Sequence, residues 1–224
     1  MAIFPIATLG MGHMNLELLI SQIRNLEASA VALQVEERLR EFKLLHSKGN
    51  EKWFSELCFC ILTANSTARL AIRIQQEIGA EGFLTLPEEE IARTLERLGH
   101  RFSERRAQYI VQAREFSHIK NLVVGIGNEG QARQWLVENV MGLGYKEASH
   151  FLRNVGYDNL AILDRHILRI MREYDMVQEI PKGLTRRRYV NLEARLQGLA
   201  TRLNMPLSRL DLYLWYMKTG AVLK

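Results

Sequence analysis

Residues 135–170 read WLVENVMGLGYKEASHFLRNVGYDNLAILDRHILRI. Apolar residues recur at three- and four-residue steps on both sides of Met141-Gly142-Leu143-Gly144, which predicts a helix over 131–140, a very short connection and a second helix over 145–155. Gly142 and Gly144 carry no Cβ, so the chain can turn sharply and expose main-chain N–H groups. Together with the start of the following helix, those groups make a site suited to a phosphate, able to hold a nucleic-acid backbone without reading bases. The same pattern also serves as a plain tight turn between packed helices.

Lys146 lies two residues past Gly144, in the first turn of the second helix, where the helix dipole disfavours a cation. It is either one more solvated charge or a partly desolvated amine able to act as a nucleophile. Asp164 follows eighteen positions on, after the apolar run 160–163. Arg165-His166-Ile167-Leu168 reads helically, so Asp164 caps that helix, and a cap at the mouth of a cleft can also present a carboxylate.

The rest of the chain is helical in pattern as well. A stripe of Leu16, Leu19, Ile20, Ile23, Leu26, Val35, Leu39 and Phe42 predicts one amphipathic helix from 15 to 45. Trp53 to Leu62 is apolar nearly all round and predicts a helix buried in the middle of the domain. A polar interruption at 63–67 precedes a helix over 68–78 that Gly79 stops. Pro87 and the acidic Glu88, Glu89 and Glu90 start another, ended by Gly99. Ser103 opens a helix to about 116, Gly125, Gly127 and Gly130 mark a loop, Ala161 to Tyr174 reads as a helix after the turn at 156–159, and two further helices cover 185–203 and 206–217. Nine or ten helices with short connectors make an all-α class, with two helical lobes sharing a cleft as one compact unit over 15–224. Residues 1–14 lack the basic start of a signal peptide and read as a flexible leader.

Of 224 residues, 47% are hydrophobic and 25% charged, which excludes a disordered or fibrous chain. A net charge of +5 permits a polyanionic partner without demanding one. Two cysteines, Cys58 and Cys60, exclude a disulfide framework and any four-cysteine metal site; both read as core residues of an intracellular, reduced protein. The arginine runs 105–106 and 186–188 are able to contact phosphates, but such runs are usually solvated faces, and neither is assigned a role.

The pattern Met141-Gly142-Leu143-Gly144-Tyr145-Lys146-Glu147-Ala148, with Asp164 and then His166, resembles the helix-hairpin-helix DNA glycosylase superfamily, and its lysine resembles that of the bifunctional members. The stretches 57–68, 98–110, 142–157, 161–168, 178–183 and 211–220, with Lys224, are similar to the compact second type of 8-oxoguanine DNA glycosylase/AP lyase found in archaea and some bacteria. The resemblance implies a DNA repair enzyme that excises 8-oxoguanine from double-stranded DNA and nicks the strand, with Lys146 as nucleophile and Asp164 as the charge stabiliser. It further implies Gly142 and Gly144 as backbone clamp, Asn65 and Arg69 at the gap left by the extruded base, and Phe102 and Trp215 as stacking faces. It makes Lys224 the residue that separates 8-oxoguanine from guanine. Asn65 can alternatively cap the next helix, and Phe102 and Trp215 can be core. No metal, cofactor or membrane is implied, and a cytoplasmic, nucleoid-associated monomer is the expectation. Two alternatives stay open: a related lyase for oxidised pyrimidines, and a non-enzymatic DNA-binding module.

Overall fold

A computed structural model describes residues 7–224, with side chains from Met14 onward. Twelve α-helices and no strands are found among the described residues. They are α1 (Ala7–Glu27), α2 (Val31–Ser47), α3 (Asn50–Thr63), α4 (Ala68–Thr85), α5 (Glu88–Arg97), α6 (Ser103–Gln112), α7 (Ile119–Ile126), α8 (Glu129–Asn139), α9 (Tyr145–Asn154), α10 (Arg165–Glu173), α11 (Arg186–Leu203) and α12 (Leu207–Thr219). A 3-10 turn, Ala113–Phe116, follows α6.

Three boundaries differ from the sequence expectation. The stripe over 15–45 is two helices, because the Ser29 hydroxyl accepts from the Val31 amide and offers the backbone a turn in place of continued helix. Of the expected leader, residues 1–6 lie outside the described ones, and from Ala7 the backbone is already helical. The helix expected from 161 starts only at Arg165. Residues 160–163 are buried and non-helical, held where the Tyr189 hydroxyl donates to the Ala161 carbonyl at 2.8 Å and accepts from the Leu163 amide at 3.2 Å. Gly79 breaks α4 as expected, with φ +71, although a further helical stretch runs on to Thr85.

The chain divides into two compact units. The first joins the residues up to Leu39 with Ala161–Leu223; the second is Arg40–Leu160 together with Lys224. In the second, α3 is the central element, and every residue from Trp53 to Thr63 is buried. Helices α4, α6, α7 and α9 pack around it. Burying apolar surface on this scale supplies the unit's main stabilisation. In the first unit, α12 packs on α1, α10 and α11 around Leu210, Leu212, Tyr213 and Leu214. No helix among the described residues is long and apolar enough to cross a membrane.

Candidate active site

The hairpin joins α8 to α9 much as its sequence predicts. Leu143 is buried and pins the turn from below, while Met141 is exposed. Arg133 staples the two helices: its guanidinium donates to the Ser149 hydroxyl at 3.2 Å and lies 5.5 Å from the Tyr145 ring. At Gly144, the N-cap of α9, the main-chain N–H donates to Glu147 Oε2 at 3.2 Å. Gly142 has φ +89, and a Cβ placed there would lie 2.5 Å from Cδ2 of Tyr109. Two independent costs therefore oppose a side chain at this position. Gly142→Ala is expected to lower stability by about 1–3 kcal/mol and to weaken duplex binding, as read by thermal unfolding and fluorescence anisotropy.

Lys146 stands on the first turn of α9, its side chain about a quarter exposed, with Nζ 3.3 Å from Glu147 Oε1. One turn further along the same face is His150, 7% exposed and edge-on to Phe59 at 5.5 Å. Burial, with Arg153, Lys146 and Lys224 nearby, holds the His150 imidazole well below its ordinary range. Another turn on, the Asn154 amide donates to Glu56 Oε1 at 2.6 Å. Glu56 is 3% exposed, and its Oε2 accepts from Lys224 Nζ at 2.7 Å. Lys224 Nζ also donates to Gln75 Oε1 and sits 4.3 Å from the Phe59 ring centroid. Lys146, His150 and Asn154 thus share one face of α9, and Asn154 and Lys224 meet at their common partner Glu56.

The polar interruption between α3 and α4 presents Asn65 exposed and in the left-handed region, φ +59, a conformation asparagine tolerates better than most residues. Asn65 is not the cap of α4. Thr67 is, accepting from the Leu70 amide. Arg69 is exposed in the first turn of α4, where a cation lacks favourable interaction with the helix dipole. Arg106 braces this turn by donating to the Ala64 carbonyl at 2.9 Å, and stands 3.3 Å from where a Gly142 Cβ would be. It is 6% exposed, so only Arg105 of that pair is the solvated charge expected, whereas Arg186, Arg187 and Arg188 are all exposed. Phe102 is half-buried beside Arg101 at 4.8 Å, outside the hydrophobic core. His100, 3% exposed, directs Nε2 at the Leu62 carbonyl at 3.1 Å and accepts the Phe102 amide at Nδ1.

His100 and His150 are both held below their ordinary range, chiefly by burial. A histidine whose folded-state value is depressed is neutral in the fold and takes up a proton on unfolding. Its stabilisation is complete above about pH 6.5 and drains away as pH falls toward the folded-state value. The thermal midpoint is expected to drop by roughly 2–4 °C or more between pH 7.5 and pH 5.5, measured by circular dichroism. A flat midpoint over that interval contradicts the assignment of both rings as neutral.

In the first unit, Asp164 caps α10, its Oδ1 accepting from the His166 and Ile167 amides at 2.8 Å each. Its Oδ2 accepts no hydrogen bond among the described residues. His166, one residue into α10, lies edge-on to Trp215 at 5.1 Å. Trp215 is half-buried, with its indole N–H sequestered and unpaired. It belongs to the edge of α12 rather than to the core. The second unit therefore carries Lys146, Gly142, Gly144, Asn65, Arg69, Phe102 and Lys224, and the first carries Asp164 and Trp215. Sequence reasoning missed Glu56, Arg106 and His150. For Glu56 a signal existed: an acidic residue heading the apolar run 57–62 needs a partner once buried. No group of three or more His, Cys, Asp or Glu able to hold a metal occurs among the described residues.

An all-helical chain whose glycine hairpin delivers a lysine on its second helix, with an aspartate capping the next helix, has the helix-hairpin-helix DNA glycosylase fold. A protein-family model described as 8-oxoguanine DNA glycosylase matches residues 35–205, and the chain belongs to that family. It is 55% identical to the 8-oxoguanine DNA glycosylase/AP lyase of Methanocaldococcus jannaschii, over 92% of this chain and 100% of that protein. The crystal structure of the M. jannaschii 8-oxoguanine glycosylase/lyase in complex with 15mer DNA containing 8-oxoguanine superposes with a TM-score of 0.91. It is 55% identical and covers 92% of this chain and 100% of its own. The 8-oxoguanine DNA glycosylase of Thermotoga maritima gives a TM-score of 0.88 at 45% identity, covering 93% of this chain and 100% of its own.

Proposed function

We propose that this chain excises 8-oxoguanine from double-stranded DNA and then nicks the strand, with Lys146 as nucleophile and Asp164 as electrostatic partner. Family membership and the relatives' names support the reaction. The observation that carries the residue assignment is Lys146 itself: an amine a quarter exposed on the first turn of the hairpin's second helix, where its hydrogen bond among the described residues is to Glu147.

A base within a duplex is out of reach, so it must leave the stack at a cost of a few kcal/mol. The main-chain N–H groups around Gly142 and Gly144 hold the backbone; Asn65 and Arg69 face the vacated position; Phe102 and Trp215 stack on the extruded base, and Lys224 distinguishes it from guanine. Lys146 Nζ forms a bond to the sugar's anomeric carbon as the bond to the base breaks, and the base departs with that electron pair and takes up a proton released from the attacking nitrogen. The Asp164 carboxylate offsets the positive charge building on the sugar. Ring opening gives a lysine–sugar Schiff base. Loss of a proton from the neighbouring sugar carbon expels the 3′ phosphate, the strand is cut, and water releases the lysine. The setting is a cytoplasmic, nucleoid-associated monomer.

Borohydride reduction during reaction with an oligonucleotide carrying one 8-oxoguanine opposite cytosine tests this. A covalent protein–DNA adduct is the expected product. Adduct formation only with an oxidised pyrimidine transfers the activity to that substrate class, and binding without any adduct reduces the chain to a DNA-binding module.

A further inference from the structure

The carboxyl group of Glu56 is buried within α3, the central helix of its unit, where every residue from Trp53 to Thr63 is buried. Its side chain is 3% exposed, and all its partners are named groups: Lys224 Nζ at 2.7 Å, the Asn154 amide at 2.6 Å and the Gln75 amide at 3.2 Å. Gln75 is fixed in turn, since its Nε2 also donates to the carbonyl and hydroxyl of Ser55 at 3.0 and 3.1 Å. The Lys224 ammonium has three protons. Glu56 and Gln75 take two, and the ammonium rests on the face of Phe59 at 4.3 Å.

A buried ion pair is a poor stabilising device, because an apolar pair of the same size commonly serves stability as well or better. What it does supply is a fixed position. A lysine side chain is otherwise among the most freely rotating in the protein, and an ammonium with two defined acceptors and an aromatic face has one place to be. We propose that Glu56 is a positioning residue for base selection: with Gln75 and Phe59 it holds Lys224 in the register from which 8-oxoguanine is told from guanine. This rests on the reading above that Lys224 faces the base. Glu56 acts through Lys224, so it governs excision of a base and not the later cutting of a site that has already lost one.

Three variants, Glu56→Gln, Lys224→Ala and the double variant, are compared in single-turnover excision of 8-oxoguanine and in cleavage of a preformed abasic site. Glu56→Gln keeps the side chain's size and removes its charge. Excision and the preference for 8-oxoguanine over guanine are expected to fall about 10- to 100-fold, the weight of a hydrogen bond between charged groups. Abasic-site cleavage stays within about twofold, and the double variant is no slower than Lys224→Ala. Equal losses in both reactions make Glu56 a merely structural residue and overturn the proposal, as do losses that multiply in the double variant. If Glu56→Gln does not fold, Gln75→Met removes the other acceptor and is expected to give the same pattern at about 3- to 10-fold; unchanged excision there overturns it too. Wild-type protein that leaves the abasic strand uncut refutes the enzyme reading itself. Full wild-type activity with an unaffected Lys224→Ala refutes only the lysine's part and that of Glu56.

Discussion

Lys146→Gln is expected to form no borohydride-reducible adduct and to cut the strand at least about 10³-fold more slowly, while binding duplex DNA within a few-fold of the unaltered protein. The substitution isolates nucleophilicity. Glutamine matches lysine in helix propensity, so α9 keeps its first turn. A glutamine amide can still donate to Glu147 Oε1, now 3.3 Å from the lysine Nζ, and a side chain a quarter exposed leaves no cavity when it is shortened. The hairpin, Leu143 beneath it and the Arg133 staple do not involve the amine. What disappears is the lone pair that attacks the anomeric carbon. Quantitative trapping by the variant would remove Lys146 from the chemistry and move the search to another amine.

Asp164→Asn carries the second large effect. Excision is expected to slow about 10²- to 10³-fold, the range seen when one preorganised group facing transition-state charge is removed. Stability should hardly move. Asparagine is as good an N-cap as aspartate, and its carbonyl oxygen can accept both amide hydrogens, from His166 and Ile167, that Oδ1 accepts at 2.8 Å. Asp164→Ala loses cap and charge together, so it should add a stability loss of about 1 kcal/mol to the same kinetic defect. Comparing the two by thermal unfolding and single-turnover kinetics separates the capping role from the electrostatic one. A fully active asparagine variant confines Asp164 to capping.

Much of this site could be read in advance because its elements are local. Two glycines bounding one leucine between periodic segments specify the hairpin, and an aspartate before Arg165-His166-Ile167 specifies the cap within four residues. Elements that depend on distant neighbours were opaque. Nothing around Ala28-Ser29-Ala30 carries a glycine or proline, so the break between α1 and α2 is invisible to periodicity, though a single serine hydroxyl suffices to seat it. Helix α7 escapes the sequence reading altogether, since Gly125 in its last turn and Gly127 just beyond it mark the stretch as loop. Arg106 resembles Arg105 in sequence, yet one is buried against the Ala64 carbonyl and the other exposed, a difference set by the turn after α3 rather than by α6. The capping alternative for Asn65 failed because Thr67, two residues on, was better placed. The links from Asn154 to Glu56 and on to Lys224 depend on the packing of α3 against α9, which no local pattern carries.

Cys58 and Cys60 lie on α3 with no exposed surface, and burial pushes both thiols up, away from the thiolate form that reacts. They are the chain's only sulfhydryls. Maleimide dyes and spin labels therefore find no native attachment point in the folded molecule. A single cysteine introduced at an exposed position such as Arg187 can be tagged selectively without first stripping the interior of its own sulfur, leaving the central helix intact in the labelled protein.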